Sequence, residues 1–185
     1  MDSQKFLLLS DSHGDVSSLK EILLWAKNIS QSGSIINHVV FLGDGIADFP
    51  PAANAAGFFS NCKFICGNND WAAMSKNTVP ETDVFDFSGH RFFMCHGHRH
   101  ALYDGHYSLL AAARANNADA VLFGHTHVPY CKNIDGIMLI NPGSIGRPRS
   151  RVGATFAVIE CASNEMPKVE FWNIEDRKNI KRLKL

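Results

Sequence analysis

Five short apolar runs punctuate the first two thirds of the chain, and each breaks off into small and polar residues. Residues 6–9 run into Ser10-Asp11-Ser12-His13, residues 39–42 into Gly43-Asp44, and residues 64–66 into Gly67-Asn68-Asn69-Asp70. Residues 92–95 run into His96-Gly97-His98 and residues 120–123 into Gly124-His125-Thr126-His127. Runs of this length read as buried strands. Between the first two, Val16, Leu19, Ile22, Leu23, Ala26 and Ile29 recur at the helical period, with Asp15 placed to cap the helix and Gly33 to end it. This is a βαβ unit, which implies a parallel sheet. A second helix is expected over 51–60, opening on prolines whose missing amides cost little there.

From Thr82 onward the pattern changes. Val84, Phe85 and Phe87, then Ser88-Gly89, then Phe92, Phe93 and Met94 predict a hairpin. Residues 108–116, rich in Ala and Leu, predict a helix, Asp135-Gly136 a second hairpin, and 154–159 and 169–174 two more strands. That is more strand than one covered parallel sheet needs, so the pattern predicts an α/β fold of two packed sheets with helices outside. Ligand crevices in α/β sheets lie beyond the carboxyl ends of the strands, where all five polar clusters fall.

At 185 residues and 45% hydrophobic content the chain is expected to form one domain over 1–185. Eighteen basic and eighteen acidic residues cancel, which removes any general electrostatic case for a nucleic-acid or membrane partner. Five cysteines at 62, 66, 95, 131 and 161 form no CxxC pair, and no signal pattern precedes Phe6, so a reducing cytoplasmic setting is expected.

Taken singly, the clusters have plain explanations. Asp11-Ser12-His13 could be a helix-initiating turn, Gly43-Asp44 a strand-ending turn, Gly67-Asn68-Asn69-Asp70 a loop, and His96 and His98 exposed loop residues. His125 and His127 are the least comfortable as structural residues, because two imidazoles leaving a buried strand are awkward to solvate. Taken together, the clusters put two carboxylates, one amide and four imidazoles at equivalent strand ends. One divalent ion needs about four to six ligands, so seven groups suit two ions if a carboxylate bridges. Asp44 is the natural bridge between ions about 4 Å apart. Mixed oxygen and nitrogen donors without thiolate favour Mn, Fe, Zn, Ni or Co, with Mg also possible, over a structural zinc. His38, His90, His100 and His106 are read as ordinary surface or turn residues.

The ordered set Asp11-x-His13, Gly43-Asp44, Gly67-Asn68-x-Asp70, His96-Gly97-His98 and Gly124-His125-Thr126-His127 resembles the calcineurin-like metallophosphoesterase superfamily. The likeness spans roughly residues 5 to 160 and is greatest to small single-domain phosphodiesterases of the YfcE type, whose segment after the His pair Asn141-Pro142-Gly143-Ser144 also resembles. The resemblance implies a four-layer αββα sandwich of two mixed sheets. It implies that Asp11, His13, Asp44 and His127 hold one ion and Asp44, Asn68, His96 and His125 the other, Mn2+ being the expected metal. The implied reaction is hydrolysis of a phosphodiester by a metal-activated water, with Asp44, Asn68, His96 and Asp70 in the catalytic set. Two other readings remain: a catalytically weak scaffold like vacuolar protein sorting 29, and a phosphomonoesterase or protein phosphatase built on the same centre.

One departure concerns proton donation. Relatives often carry His or Cys after the metal-binding Asn, whereas this chain has Asn69, and a neutral amide is no general acid. Asp70, His98 or water could donate instead, or the leaving group could need no proton; the last is the expectation. Asn69, His98 and Arg149 are the residues expected to meet substrate. Arg147, Arg149 and Arg151 form either a phosphate clamp or a solvated or subunit-contact loop. Trp71 could stack on a base or pack its own loop, and packing is expected. With no large cap insertion between the motifs, an open site accepting small phosphodiesters is implied. A homodimer or higher oligomer is compatible with everything above.

Overall fold

The computed structural model describes residues 3–31, 35–103, 105–163, 165–175 and 179–183. The first strand, β1 (Gln4–Leu9), leads through helix α1 (Val16–Gln31) to β2 (Ile36–Phe41), and the two strands pair in parallel. Asp15 caps α1 as expected: its carboxylate accepts from the Ser18 amide at 3.1 Å and the Ser18 hydroxyl at 2.9 Å. Gly33 lies outside the described residues. Helix α2 (Phe49–Ala56) starts two residues earlier than the prolines suggested and stops sooner, because Gly57 takes a left-handed φ of 83° and caps it. After a 3-10 turn at Phe59–Asn61, β3 (Cys62–Phe64) pairs in parallel with β2.

Helix α3 (Trp71–Lys76), which the apolar pattern did not announce, precedes the hairpin of β4 (Thr82–Phe87) and β5 (His90–Cys95). Its two turn residues, Ser88 and Gly89, both have positive φ, the conformation such turns require. Helix α4 (Tyr107–Ala115) and β6 (Ala120–Phe123) follow, then the second hairpin, β7 (Pro129–Ile134) and β8 (Ile137–Pro142). The chain closes with β9 (Thr155–Cys161), β10 (Lys168–Glu175) and β11 (Asn179–Arg182). β11 was not legible in a short polar sequence.

The strands form two mixed sheets, ordered β11-β10-β9-β1-β2-β3 and β4-β5-β6-β8-β7. Side-chain alternation assigns each layer its neighbours. Leu7, Leu9, Val39 and Phe41 face outward against Leu19, Ile22, Leu23 and Ala26 of α1 and Phe49 and Ala53 of α2. The intervening Phe6, Leu8 and Val40 face the second sheet, meeting Phe92, Met94, Leu122 and Ile140. On that sheet's far side Phe93, Val121, Phe123 and Leu139 pack on Leu109, Leu110 and Ala113 of α4. Strands buried on both faces carry unbroken apolar runs for this reason. The result is the four-layer αββα sandwich. No helix among the described residues is long and apolar enough to cross a membrane.

Candidate metal centre

Polar residues reach the rim because the parallel strands of both sheets end there, and the backbone turns back sharply as each one ends. Asp11, His13, Asp44, His125 and His127 all have positive φ, between 45° and 67°. A residue with a Cβ enters this region at a cost of about 1 kcal/mol or more, so five such residues in one place mark a constrained site. Backbone bonds between strand exits hold the turns: the Asp11 amide donates to Gly43 O at 3.0 Å, His13 to Asp44 O at 2.9 Å, and Gly124 to His96 O at 3.0 Å.

The exits bring Asp11, His13, Asp44 and His127 together with their ligand atoms all within 4.8 Å of one another. His127 Nε2 lies 3.0 Å from Asp11 Oδ1 and 3.2 Å from His13 Nε2, and His13 Nε2 lies 3.6 Å from both Asp11 Oδ1 and Asp44 Oδ2. Beside this group stands His96, with Nε2 3.4 Å from Asp44 Oδ2 and its ring 5.3 Å from that of His125. Asp44 therefore lies between the two imidazole groups.

Two of the rings have a fixed tautomer. His96 Nδ1 donates to Leu42 O at 2.7 Å and His127 Nδ1 to Arg147 O at 2.6 Å. A carbonyl only accepts, so the proton sits on Nδ1 and each Nε2 presents a lone pair to the site, as a metal ligand must. Asp11 is held in turn by the Ser10 hydroxyl at 2.5 Å and the His125 amide at 3.1 Å, both on Oδ2, which leaves Oδ1 facing inward.

The electrostatics point the same way. Burial alone would raise the Asp11 carboxyl, but His127 and His13 hold it well below the usual carboxylate range. Burial would lower His96, yet Asp44 and Asp11 raise it. His125 is lowered by its burial and by His96. Meanwhile Asp11 Oδ1, Asn68 Oδ1 and His96 Nε2 are buried without an aligned hydrogen-bond partner. Orphaned donor-set atoms of this kind are costly unless a cation takes them up, so the residues present fit divalent metal ions.

A cavity of about 430 Å³ opens over the cluster, lined by His13, Asp44, Asn68, Asn69, His125, His127, Arg147, Pro148 and Arg149. Arg147 and Arg149 are exposed there. Arg151 is not among the lining residues.

Three expectations need correction. Asp70 is not poised to give up a proton. Its Oδ2 accepts from the Asp44 and Gly67 amides at 2.7 and 2.8 Å, and its Oδ1 from Gly45 and Ile46 at 2.9 Å each. Four backbone donors fill all four lone-pair sites of a carboxylate, which makes Asp70 a tether joining the Asp44 and Asn68 turns. His98 does not line the cavity either; its ring lies tilted to that of His96 and edge-on to that of His125, and its Nε2 lies 3.8 Å from Glu81, which Arg99 also binds. Trp71 does not pack its loop but stands 73% exposed.

Asn69 lines the cavity and grips Asp44 twice: its amide donates to Oδ1 at 2.8 Å and its Nδ2 to Oδ2 at 2.5 Å. Sequence reasoning missed the supporting residues. Ser144 Oγ donates to Asp11 O at 2.8 Å and accepts from the Arg147 amide, while Asn141 Nδ2 donates to Gly124 O at 2.7 Å. Apart from their place in the Asn141–Ser144 segment, nothing in one polar residue at an apolar strand end and a second one two positions past that end distinguishes a brace from a turn. Gly67 is another: a Cβ there would collide with the Asp44 carboxylate and lie 2.7 Å from the Asp44 amide nitrogen. Gly67→Ala is therefore expected to displace Asp44, lowering metal content and cutting activity about 100-fold; undiminished metal content by elemental analysis would count against this packing.

Residues 5–164 match the family profile described as the calcineurin-like phosphoesterase superfamily domain. The chain belongs to that superfamily. As a calcineurin-like phosphoesterase it is 27% identical over 178 residues to the probable metallophosphoesterase YsnB of Bacillus subtilis, covering 94% of this chain and 96% of that one. A probable metallophosphoesterase of Mycoplasma pneumoniae is 36% identical over 84 residues, which is 43% of this chain and 53% of the relative. Among solved structures, a predicted phosphoesterase from Streptococcus pneumoniae superposes with a TM-score of 0.72 at 24% identity, over 99% of this chain and 98% of its own. Escherichia coli YfcE, a phosphoesterase, gives 0.64 at 19%, covering 97% and 98%. Vacuolar protein sorting 29 from Cryptosporidium parvum gives 0.75 at 20%, covering 98% and 97%, so the same fold is found in a protein of a different name. By family this calcineurin-like phosphoesterase is a phosphoric-ester hydrolase, and it carries a candidate Asp/His metal cluster at its strand ends.

Proposed function

We propose that this protein is a phosphodiesterase that works with two divalent ions, Mn2+ foremost, shared across Asp44. The observation that carries the reading is the set of inward-facing, unpartnered donor atoms on Asp11, Asn68 and His96 beside the tight Asp11-His13-Asp44-His127 cluster. Asp11, His13, Asp44 and His127 would hold one ion, and Asp44, Asn68, His96 and His125 the other. Bound there, two such ions supply charge neutralisation at the phosphoryl oxygens and lower the pKa of water.

The chain's own groups do the rest. Arg147 and Arg149 flank the cavity with guanidinium groups suited to bidentate contact with non-bridging oxygens. The carbonyls of Leu42 and Arg147 keep His96 and His127 in the ligating tautomer. Asp70 is saturated by amides and His98 is not among the residues lining the cavity, so neither is placed to protonate a leaving group, which favours esters whose leaving groups depart without a proton. The scaffold reading is disfavoured by the retention of ligand chemistry at all seven positions.

The test is hydrolysis of bis(p-nitrophenyl) phosphate and p-nitrophenyl phosphate with and without Mn2+. The diester is expected to turn over faster, and chelation to remove the activity. His125→Ala is expected to bring bound metal from two ions per chain towards one and to lower kcat about 100-fold. Activity untouched by chelation, or faster turnover of the monoester, overturns the phosphodiesterase reading; a fully metallated protein that hydrolyses neither substrate favours the scaffold.

A further inference from the structure

We infer that Trp71 is a stacking platform for an aromatic ring carried by the substrate, which would make that substrate a nucleotide-type phosphodiester; the inference rests on the phosphodiesterase reading above. Trp25 and Trp172 show what the chain does with an indole it uses for packing: their rings lie 4.7 Å apart, and Trp25 also meets Phe156 at 5.1 Å. Trp71 does neither and leaves 73% of its surface in water. A large aromatic side chain in that state adds little to the core, and its value lies in what it can contact.

Its placement decides what that contact is. Trp71 follows Asp70, whose four backbone bonds fix the turn, so the indole is mounted on an anchored stretch of chain. It lines a groove of about 480 Å³ together with Ile46, Ala47 and Lys76, and Asn69 belongs both to this groove and to the metal cavity. The two spaces therefore share a wall. Ile46 and Ala47 come two and three residues after Asp44. A phosphate seated over the cluster, near the imidazoles and Arg147 and Arg149, has beside it a groove whose lining includes the aliphatic Ile46 and Ala47 and the aromatic Trp71. The one carboxylate in that groove, Asp70, is saturated by amides and offers a ring substituent no free acceptor. Such a surface suits a flat ring with a π-face, and every nucleobase has one, so it selects for a base without selecting among bases.

Calorimetric titration of the Mn2+-supplemented protein with AMP and with ribose 5-phosphate isolates the ring, since the two ligands share sugar and phosphate. Wild type is expected to bind AMP at least fivefold more tightly. In Trp71→Ala the two affinities are expected to converge, and in Trp71→Phe part of the difference should return, which a merely structural role would not produce. No preference for AMP in wild type, or an unchanged preference in Trp71→Ala, overturns the inference. The readout needs no turnover. Preference lost in Trp71→Ala from a protein that hydrolyses no diester upholds the platform while the enzyme reading fails, and diester hydrolysis with an unaltered preference does the reverse.

Discussion

Asp44→Asn is expected to lower kcat/KM for bis(p-nitrophenyl) phosphate by about a thousandfold or more while leaving the protein folded. Asp44 stands between the two imidazole groups, with Oδ2 3.6 Å from His13 Nε2 and 3.4 Å from His96 Nε2; Asp11 Oδ1 reaches the same two nitrogens at 3.6 and 3.8 Å but lies closest to His127, at 3.0 Å. Asn preserves the shape but removes the charge, and one end of the amide becomes a donor that cannot ligate a cation. Because Asn69 already holds Asp44 through its amide and its Nδ2, the new side chain meets at least one mismatched donor pair as well. The loss should therefore appear in kcat and in metal content together. Elemental analysis of the purified variant, beside steady-state rates across a Mn2+ titration, checks both. Near wild-type turnover at full metal occupancy would sink the assignment of Asp44 as the shared ligand.

How far the chain could be read without coordinates depended on whether each feature was carried by a pattern or by a single contact. The strands buried on both faces were plain because residues 6–9, 39–42 and 120–123 have no polar residue to confuse the period, and the hairpins were plain because Ser88-Gly89 and Asp135-Gly136 supply the left-handed residues such turns require. Ligand candidates were plain because they sit at equivalent strand ends. The Cys62–Phe64 strand was misplaced towards Ile65 and Cys66, since those two residues are more apolar and more deeply buried than the strand itself but already belong to the exit. Helix α3 and strand β11 are short and only weakly patterned. Asp70 and Trp71 illustrate the deeper limit: neighbours in sequence, one proved to be a saturated tether and the other an exposed ring, and nothing in Asn-Asn-Asp-Trp tells which backbone amides will converge on a carboxylate or which side of a loop will face water.

Asp70→Ala is the second substitution expected to have a large effect, and on stability as much as on rate. Removing the carboxylate strips acceptors from the amides of Asp44, Gly45, Ile46 and Gly67 at once. A buried amide left unpaired costs about 1–3 kcal/mol, but this turn borders solvent and water can reach part of it, so a net loss of about 3 kcal/mol is expected. For a chain of this size that corresponds to a fall in Tm of roughly 10 °C. The same four bonds aim Asp44 into the site and keep the Asn68 turn against it, so metal affinity should drop as well. Asp70→Asn separates tether from proton donor. Its amide retains one accepting oxygen but turns an NH2 group towards two backbone donors, so it should be destabilised nearly as much as the alanine variant. A proton donor would behave otherwise: Asp70→Asn would keep its Tm and lose rate selectively on esters with poor leaving groups. Thermal unfolding of both variants, run alongside rates for a series of aryl diesters of graded leaving-group pKa, distinguishes the two outcomes.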